Sequence, residues 1–288
     1  MNIEKLKQQK TIQELLEFGI INFDKPAGFT SFDVSNFVKR RLGLRKTSHF
    51  GTLDPMVTGV LPIALNRACK LTGFFIGEDK EYEGVMRIHE EISLENIEKA
   101  IKEKFIGKII QMPPVKSRVK RQLREREIMN FKILEKKGKN ISFIVECQGG
   151  TYIRKLIHDL GLELGIGAHM AKLKRIRAGI FKKEQMTTKE EFEKAVEEFE
   201  GGNEKLLRKI IIPAEIISEV YPIVKIKEKN LKQIFTGKPI HKEDLIKKQS
   251  IEKEKIICIF SGDRFIGMYK TINGKDIFAK AEFVMQAI

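Results

Sequence analysis

Hydrophobic residues recur at helical spacing in four segments of the chain. Polar residues that favour a helix start stand before three of them: Thr30 or Ser31, Ser93, and Thr188 with Glu191 three positions on. A spacing of three or four residues places the apolar side chains on one helix face, so the segments predict four amphipathic helices. Their apolar positions are Val34, Phe37, Val38 and Leu42; Leu94, Ile97, Ala100, Ile101 and Phe105; Ile153, Leu156, Ile157, Leu160 and Leu164; and Phe192, Ala195, Val196 and Phe199.

Short apolar runs bounded by turn residues predict strands, and beyond residue 221 they dominate, with one helical piece near 229–235. The pattern predicts helices and strands in the first part of the chain, followed by a small β-barrel-like module. The predicted domains are residues 1–214 and 215–288, with a linker from Gly201-Gly202 to Pro213. The runs are residues 19–23, 60–64, 141–147, 223–226, 256–260, 265–269 and 277–279.

Charge changes this picture from a fold to a class of partner. The 288 residues include 54 Lys and Arg against 39 Asp and Glu, a net charge of +15, and 42% of them are hydrophobic. That hydrophobic share supports a buried core and excludes a wholly disordered chain. The excess of positive charge favours a polyanionic partner, either nucleic acid or an acidic membrane surface, although a generally basic proteome would also produce it.

Cysteine spacing and hydropathy indicate the compartment. The three cysteines are too scattered for a disulfide framework or a zinc-binding C-x-x-C pair, and no metal site is expected. No apolar stretch is long enough to span a membrane, and the first residues lack the apolar core of a secretory signal. We therefore expect a soluble protein in a reducing, cytoplasmic compartment, without a membrane partner.

Two local patterns could carry chemistry. Gly51 and Pro55 bracket Asp54 in a loop that could present one carboxylate rigidly to a cleft, although an Asp-Pro turn alone is more often structural. Gly149 and Gly150 precede a helix whose first turn carries Arg154 away from the apolar face. The two glycines would allow another loop or a phosphate to approach the guanidinium.

A basic run at residues 116–126 predicts contact with nucleic acid. It holds six Lys or Arg in eleven residues, with Val119 and Leu123 between them, although such a run can also be only a solvated face. Neither a P-loop nor a strand-linked G-x-G-x-x-G motif occurs, which argues against nucleotide hydrolysis and dinucleotide binding. The candidate RNA contacts in this run are Lys116, Arg118, Arg121 and Arg124.

Six blocks in order resemble the TruB and dyskerin branch of RNA pseudouridine synthases. They are GIINFDKPAGFTS (19–31), HFGTLDPMVTGVLP (49–62), KEYEG around Tyr82, QMPPVKSRVKRQLRERE (111–127), GGTYIRKLIHDLG (149–161) and GAHMAKLKRIRAGIF (167–181). The resemblance implies the pseudouridine synthase fold, an α+β fold with a mixed, largely antiparallel sheet and flanking helices plus a small β-barrel-like PUA domain. It also implies an isomerase that converts uridine to pseudouridine. No cofactor is expected, because the product is an isomer of the substrate.

The resemblance also implies roles for individual residues. Asp54 matches the nucleophilic aspartate, which attacks either the ribose C1′ or the uracil C6. Tyr82 matches the tyrosine that stacks on the uracil and is a candidate to take the C5 proton, and Arg154 matches the arginine that pairs with the aspartate. Lys25 and His49 match substrate-side groups, and Leu173 matches an apolar wall of the pocket. Two residues depart from the family pattern. The family usually has a small residue at the position of Phe50 and often a basic residue at the position of Met56.

Within the family, three features resemble the guide-dependent dyskerin-like proteins. They are the RQLRERE run (121–127), the lack of a thumb-like insertion between Tyr82 and Ser93, and a tail similar to a PUA domain, best matched at 226–241. This implies an H/ACA ribonucleoprotein acting on ribosomal RNA, with guide RNA, two small accessory proteins and a kink-turn-binding protein as partners. It implies an archaeal-type cytoplasmic protein, or a nucleolar one if eukaryotic. The alternatives are a stand-alone transfer-RNA T-loop enzyme and a non-catalytic RNA-binding scaffold.

Overall fold

Two β-sheets and their flanking helices make up this computed structural model, which describes residues 1–113, 120–247, 249, 251–272 and 274–285. The strands are β1 (Gly19–Lys25), β2 (Thr47–His49), β3 (Thr58–Leu65), β4 (Lys80–Ile88), β5 (Gly107–Gln111), β6 (Arg124–Lys137), β7 (Asn140–Cys147), β8 (Ala168–Ala178), β9 (Phe181–Lys182), β10 (Ile211–Pro213), β11 (Ile223–Lys225), β12 (Ile240–His241), β13 (Ile256–Ser261), β14 (Arg264–Thr271) and β15 (Ile277–Val284). The helices are α1 (Ile3–Gln9), α2 (Ile12–Glu17), α3 (Ser31–Arg41), α4 (Thr72–Ile76), α5 (Leu94–Lys104), α6 (Ile153–Glu163), α7 (Lys189–Glu200), α8 (Lys205–Ile210) and α9 (Leu231–Ile234).

The larger sheet runs in the order β10-β1-β3-β8-β4-β7-β6-β5, with β2 beside β3 and β9 beside β8. Its pairings are antiparallel apart from the short parallel contact of β3 with β8. The smaller sheet runs β11-β13-β14-β15-β12 and contains one parallel pair, β11 with β13. The α+β class with a mixed, largely antiparallel sheet and a small second sheet is therefore confirmed.

Capping residues set the starts of the helices as predicted. Thr30 caps α3 and forms a capping box with Asp33, Ser93 caps α5, and Thr188 caps α7 through a second box with Glu191. These side chains satisfy backbone N–H groups that have no partner within the first turn of a helix. The predicted helices at 31–41, 94–104, 153–163 and 189–200 are all present.

The predicted linker is wrong, because the residues after Gly201-Gly202 are folded. They form α8 and then β10, which pairs antiparallel with β1 at the edge of the larger sheet. The larger sheet therefore ends at Pro213 and the smaller one begins at Ile223, with a 3₁₀ helix, Ala214–Glu219, between them. The proposed domain boundary at 214/215 falls inside this stretch and stays a prediction.

The two sheets share an apolar contact. Phe18, at the end of α2, stacks on Phe265 of β14 with ring centroids 5.4 Å apart. Tyr221 donates a hydrogen bond to the Phe74 carbonyl at 2.9 Å and packs edge-on against that ring. The smaller sheet thus lies on a buried apolar surface of the larger unit, while the cores above each sheet remain separate.

Candidate active site

Residues 50–57, between β2 and β3, form the loop that carries Asp54. Phe50 anchors its start: the ring is fully buried and stacks on Phe75 with centroids 4.6 Å apart. Leu53 and Val57 are also buried, whereas Asp54 between them keeps 52% of its side chain exposed. The apolar anchors fix the backbone and turn the carboxylate outward. The Phe50 ring therefore packs into the core and does not line the space above Asp54.

Two buried polar side chains hold this loop from beneath. The Lys25 ammonium donates to the carbonyls of Pro26, Pro55 and Val57 at 2.8–2.9 Å. Ser31, at the start of α3, accepts from the Leu53 N–H at 2.8 Å and donates to the Leu53 carbonyl at 3.1 Å.

Lys25 needs correction as a substrate-side group. Its side chain is fully buried, and the three donors of its ammonium have three backbone acceptors. Burial lowers the pKa of Lys25, and the nearby charge of Asp54 opposes that shift. The role that this geometry supports is to fix the loop, since no donor remains to meet RNA.

Arg154 reaches Asp54 from the first turn of α6, and its guanidinium donates to the Asp54 carboxylate. The start of α6 is fixed by Gln111 of β5, a buried side chain that accepts from the Tyr152 N–H at 3.0 Å and donates to the Tyr152 carbonyl at 3.2 Å. Arg154 itself keeps 59% of its side chain exposed. The predicted pair is therefore present, and it lies at an open surface.

Close packing before α6 depends on Gly149. A Cβ at this position would lie 2.8–2.9 Å from three carbonyl oxygens of residues 76–78. The two glycines before Arg154 are predicted to let another loop come close, and residues 76–78 make such a close contact at Gly149. It places the start of α6 against the turn that precedes β4.

Tyr82 and Leu173 lie on neighbouring strands under the loop. Tyr82 on β4 is a register partner of Arg175 on β8, and Gly84 is a partner of Leu173. A Cβ at Gly84 would lie 2.9 Å from a Leu173 methyl group, so the missing side chain leaves room for the leucine. Both Tyr82 and Leu173 are more than nine-tenths buried, and burial raises the pKa of Tyr82.

His49 closes one side of the loop. Its Nε2 lies 3.2 Å from the Thr52 hydroxyl, and the residue is partly exposed. Burial, with a contribution from the positive charge of Arg175, lowers the pKa of His49. The imidazole therefore stays neutral near pH 7, where it can exchange one hydrogen bond with a neighbour.

The basic run lies beside the start of α6 where the structure describes it. Arg124 pairs in register with Gln111, and Arg126 borders Gly150, whose Cβ position lies 3.2 Å from the guanidinium. Arg121 is exposed. Lys116 and Arg118 lie outside the described residues, so their predicted RNA contacts stay predictions.

Three residues that build this site are not predicted from the sequence. Ser31 and Gln111 fix the backbone next to Asp54 and Arg154, respectively. Arg175 is buried and is the register partner of Tyr82. A signal for Arg175 existed, since alternation along the strand puts it on the same inward face as Leu173. The sequence predicts Ser31 only as a possible helix cap. Its contact with Leu53 joins residues 22 positions apart, which periodicity cannot reveal.

Metal-binding clusters and membrane-spanning helices are absent from the described part of the chain. Among the described residues, no group of three or more His, Cys, Asp or Glu side chains is arranged to hold a metal ion. No helix in the described part of the chain combines the length and apolar character needed to cross a bilayer.

Comparison with known proteins agrees with this geometry. Two family descriptions match the chain: "TruB family pseudouridylate synthase (N terminal domain)" over residues 39–153, and "tRNA pseudouridylate synthase B C-terminal domain" over 154–218. The probable tRNA pseudouridine synthase B of Methanopyrus kandleri is 41% identical over 256 residues, covering 88% of this chain and 75% of that protein. Its counterpart in Pyrococcus abyssi is 39% identical over 258 residues, covering 88% and 76%.

Solved structures give the same result over almost the whole chain. A chain from the crystal structure of a Cbf5-Nop10-Gar1 complex superposes with a TM-score of 0.90 at 35% identity, covering 97% of this chain and 89% of that one. A chain from an H/ACA RNP bound to a substrate RNA containing 2′-deoxyuridine gives a TM-score of 0.87 at 33% identity, covering 98% and 89%.

A mixed sheet with an Asp–Arg pair above a buried tyrosine, together with these relatives, defines the chain as an RNA pseudouridine synthase, an isomerase that converts uridine to pseudouridine. The chain belongs to the TruB family.

Proposed function

We propose that this enzyme is the catalytic subunit of a guide-RNA-directed H/ACA ribonucleoprotein that modifies ribosomal RNA. The observation that carries the proposal is the superposition on the Cbf5-Nop10-Gar1 chain over 97% of the residues. That agreement includes the second sheet, which we take to be a PUA-like module that anchors the guide RNA. A guide would supply the positioning of substrate that a stand-alone enzyme obtains from its own insertions.

The open site supports a requirement for further components. Only five residues separate the end of β4 at Ile88 from the start of α5 at Leu94, so no substrate-clamping insertion lies there. Asp54 and Arg154 both keep more than half of their side chains exposed. RNA bound over this surface would exclude water and strengthen the electrostatic interactions of the pair.

The chemistry that we propose uses Asp54 as the nucleophile. The target uridine must leave its stack, at a cost of a few kcal/mol, before a carboxylate can reach it. Asp54 then attacks either C1′ of the ribose, which breaks the N1–C1′ bond, or C6 of the uracil, after which that bond breaks. In both cases C5 bonds to C1′, the carboxylate is released, C5 loses its proton and N1 gains one. Arg154 orients the carboxylate through their direct contact. Tyr82 would face the flipped base from below with Leu173 beside it, and its hydroxyl is a candidate to take the C5 proton.

The partners follow from the same proposal. We expect a guide RNA, a substrate RNA, two small accessory proteins and a kink-turn-binding protein. Structures of two relatives, the Cbf5-Nop10-Gar1 complex and the H/ACA RNP with substrate RNA, support the RNA and the small proteins as partners. The kink-turn-binding protein rests on the family resemblance alone, as does the expected cytoplasmic location.

The experiment maps pseudouridine after incubation of the purified chain with ribosomal RNA fragments, with and without a guide RNA and accessory proteins. Formation of pseudouridine only where the guide pairs would support the proposal. Modification of ribosomal RNA without any guide would reject it. D54N, which keeps the shape and loses the charge, is the matched catalytic control and should leave less than about 10% of the activity, since an amide cannot supply covalent catalysis.

A second candidate is a stand-alone transfer-RNA enzyme, favoured by the names of the archaeal relatives, which are called probable tRNA pseudouridine synthase B. Under this alternative, transfer RNA alone is modified in its T-loop at a rate that guide RNA does not change. The same mapping experiment with transfer RNA separates the two proposals. A scaffold without activity is not supported, because the chain is a pseudouridine synthase with the Asp54–Arg154 pair in place.

A further inference from the structure

We propose that Arg175 is a positioning residue for pseudouridine formation, which couples the Tyr82 hydroxyl to the loop that carries Asp54. The inference rests on the proposed roles of Asp54 and Tyr82 and adds a residue that touches neither the substrate nor the Asp54 carboxylate. It starts from the burial of Arg175, which is among the largest fully buried side chains of the described residues. A buried guanidinium is costly unless its donors have partners, so its contacts indicate what it holds in place.

The donors of Arg175 bridge the two ends of the Asp54 loop. Nε donates to the Val60 carbonyl at 2.7 Å, and Nη2 donates to the Gly51 carbonyl at 3.0 Å. Gly51 lies near the start of the loop and Val60 lies in β3 just after it, so one rigid, planar group fixes the separation of two backbone points on either side of Asp54. Gly51, with a φ of +94°, lies so close that a Cβ there would be 3.3 Å from Nη1.

The same guanidinium interacts with Tyr82. Tyr82 and Arg175 are register partners on adjacent antiparallel strands, which places their side chains on one face of the sheet. Arg175 and Asp54 both lie close enough to the Tyr82 hydroxyl to affect its pKa: the cation favours the phenolate and the carboxylate opposes it. The phenol and the carboxylate loop therefore share one fixed cation beneath them.

This position also bears on the proton that must leave C5. A neutral phenol cannot accept a proton, so a base role for Tyr82 requires the phenolate, which burial disfavours. The charged groups around the hydroxyl are Arg175, Asp54 and Cys147 if ionised, with Lys80 packed beside Arg175 near Gly51. Arg175 is the buried cation that is the register partner of Tyr82 and favours the anionic form of its phenol.

The first test compares R175Q and R175K with R177Q. Arg177 is the matched control: it lies two residues further on β8, is largely buried, and forms ion pairs with Glu81 and Glu146 instead of contacting the loop. In single-turnover assays, R175Q should lose about a hundredfold in rate while its RNA affinity stays within about threefold, because a displaced nucleophile or base loses rate more than binding. R177Q should stay within about threefold of the wild type.

R175K keeps the charge and can reach only part of the acceptors, so its rate should lie about tenfold above that of R175Q and about tenfold below the wild type. A folded R175K or R175Q with the wild-type rate would overturn the proposal. If R175Q does not fold, R175K alone decides, because a fully active lysine variant is incompatible with a need for the guanidinium fork.

The second test needs neither RNA nor activity, so it is independent of the proposed function. The chain has four tyrosines and no tryptophan, which leaves the tyrosinate absorbance uncontaminated by indole. The Tyr82 titration is assigned from the difference between the wild type and Y82F. R175K should leave it near the wild-type position, R177Q should not move it, and R175Q should shift it to higher pH. An unchanged titration in R175Q would show that Arg175 does not act through Tyr82.

A double-mutant cycle completes the assignment. Y82F combined with R175Q should be no more than about threefold slower than the slower single variant, because the two residues act as one unit. If the losses multiply instead, Arg175 acts only through the loop and the coupling to Tyr82 is rejected.

Discussion

Ser31 illustrates how one hydroxyl can determine the position of the proposed nucleophile, Asp54. The side chain is fully buried and makes two hydrogen bonds to the backbone of Leu53, the residue before Asp54. The neighbouring Thr30 instead caps α3 through the Asp33 N–H. Thr30 therefore fixes the start of α3, and the adjacent Ser31 fixes the Asp54 loop.

We expect S31A to lower the rate of pseudouridine formation by about tenfold or more and to destabilise the fold by about 1–3 kcal/mol. The loss of stability arises because a buried N–H and C=O are left without partners, and the loss of rate because Asp54 is less firmly held. T30A is the matched control, with a cap loss of about 1 kcal/mol and little change in rate. Guanidinium unfolding and single-turnover assays check both, and equal rate losses in the two variants would contradict the assignment.

Lys80 makes stability depend on pH. Its side chain is buried near Arg175, and desolvation lowers its pKa from 10.5 to about 8. Between these two pH values the unfolded chain binds more protons than the folded one, so the stability linked to Lys80 rises with pH across that window. This contribution is lost as the pH falls through about 8.

We therefore expect wild-type stability to gain on the order of 3 kcal/mol relative to K80M between about pH 7 and pH 10.5. The control K182M, at an exposed position, should follow the wild type across the same range. Urea unfolding of the three proteins at several pH values measures the difference. Parallel pH curves for K80M and the wild type would show that Lys80 keeps its usual pKa in the fold.

Among the elements, the parallel contact of β3 with β8 joins the strand that follows the Asp54 loop to the strand that carries Leu173 and Arg175. Gly59 pairs with Arg175 in this contact and has a φ of +98°. A Cβ at Gly59 would lie 2.2 Å from the Arg175 carbonyl oxygen, a distance that forces the backbone to move. The strand junction therefore depends on the absence of a side chain at this position.

G59A should destabilise the chain by more than about 2 kcal/mol and reduce the rate, because both strain and a backbone shift at Arg175 follow. G28A is the control, since Gly28 has a similar φ of +89° but open space around the Cβ position. It should cost about 1 kcal/mol from backbone strain alone. Thermal unfolding compares them, and a G59A variant as stable as G28A would show that the junction tolerates a side chain.

The elements that sequence predicted well are those with local signals. α3, α5 and α7 have both a capping residue and an apolar face, and both are visible within a dozen residues. β8 lacks such a local signal, because it mixes cationic and apolar residues and buries the cationic Arg175. It forms a strand by pairing with β3 and β4, which lie far away in sequence. α8 lies in the segment predicted as a linker, because its six residues follow two glycines.

In the candidate site, too, local motifs identify residues, whereas contacts between distant residues set the surroundings of each side chain. Motif resemblance predicts roles for Asp54, Tyr82 and Arg154 that stay predictions, and the Asp54–Arg154 contact is present across 100 positions of sequence. The same resemblance gave Lys25 a substrate-side role, and the fold instead turned its ammonium inward onto three carbonyls. A motif identifies the residue but not which side of the loop its side chain occupies.

At the scale of the whole molecule, the net charge of +15 predicts how RNA binds. If phosphate contacts dominate, log affinity should fall linearly with log salt, by about 0.7 for each phosphate contacted in a single strand. Replacing Arg121 and Arg124 by alanine should reduce the slope without changing which base is modified. R87A, an exposed arginine that contacts Asn140, is the control and should leave the slope unchanged. A flat salt dependence of the wild type would contradict the electrostatic interpretation.

The shared apolar surface also changes an expectation about the smaller sheet. The turn residues before residue 215 suggested that the first 214 residues would fold as an independent catalytic domain. In the structure, however, Phe18 stacks on Phe265, and the buried carboxylate of Glu215 pairs with Lys10. Removing the smaller sheet would therefore expose aromatic surface as well as detach the proposed RNA anchor.

We expect a chain ending at residue 220, which keeps the Lys10–Glu215 pair, to melt roughly 10 °C or more below the full chain, because it leaves Phe18 and its neighbours in water. F265A in the full chain tests the same contact more gently and should lower the melting temperature by several degrees. F278A is the matched control: it removes a buried ring from the core of the smaller sheet alone. Binding of an apolar dye should rise near Phe18 in the truncated chain and in F265A, but not in F278A while that variant stays folded. A truncated chain that melts with the full chain and binds no dye would show that the larger sheet is self-sufficient, and any loss of guided activity would then be assigned to RNA anchoring alone.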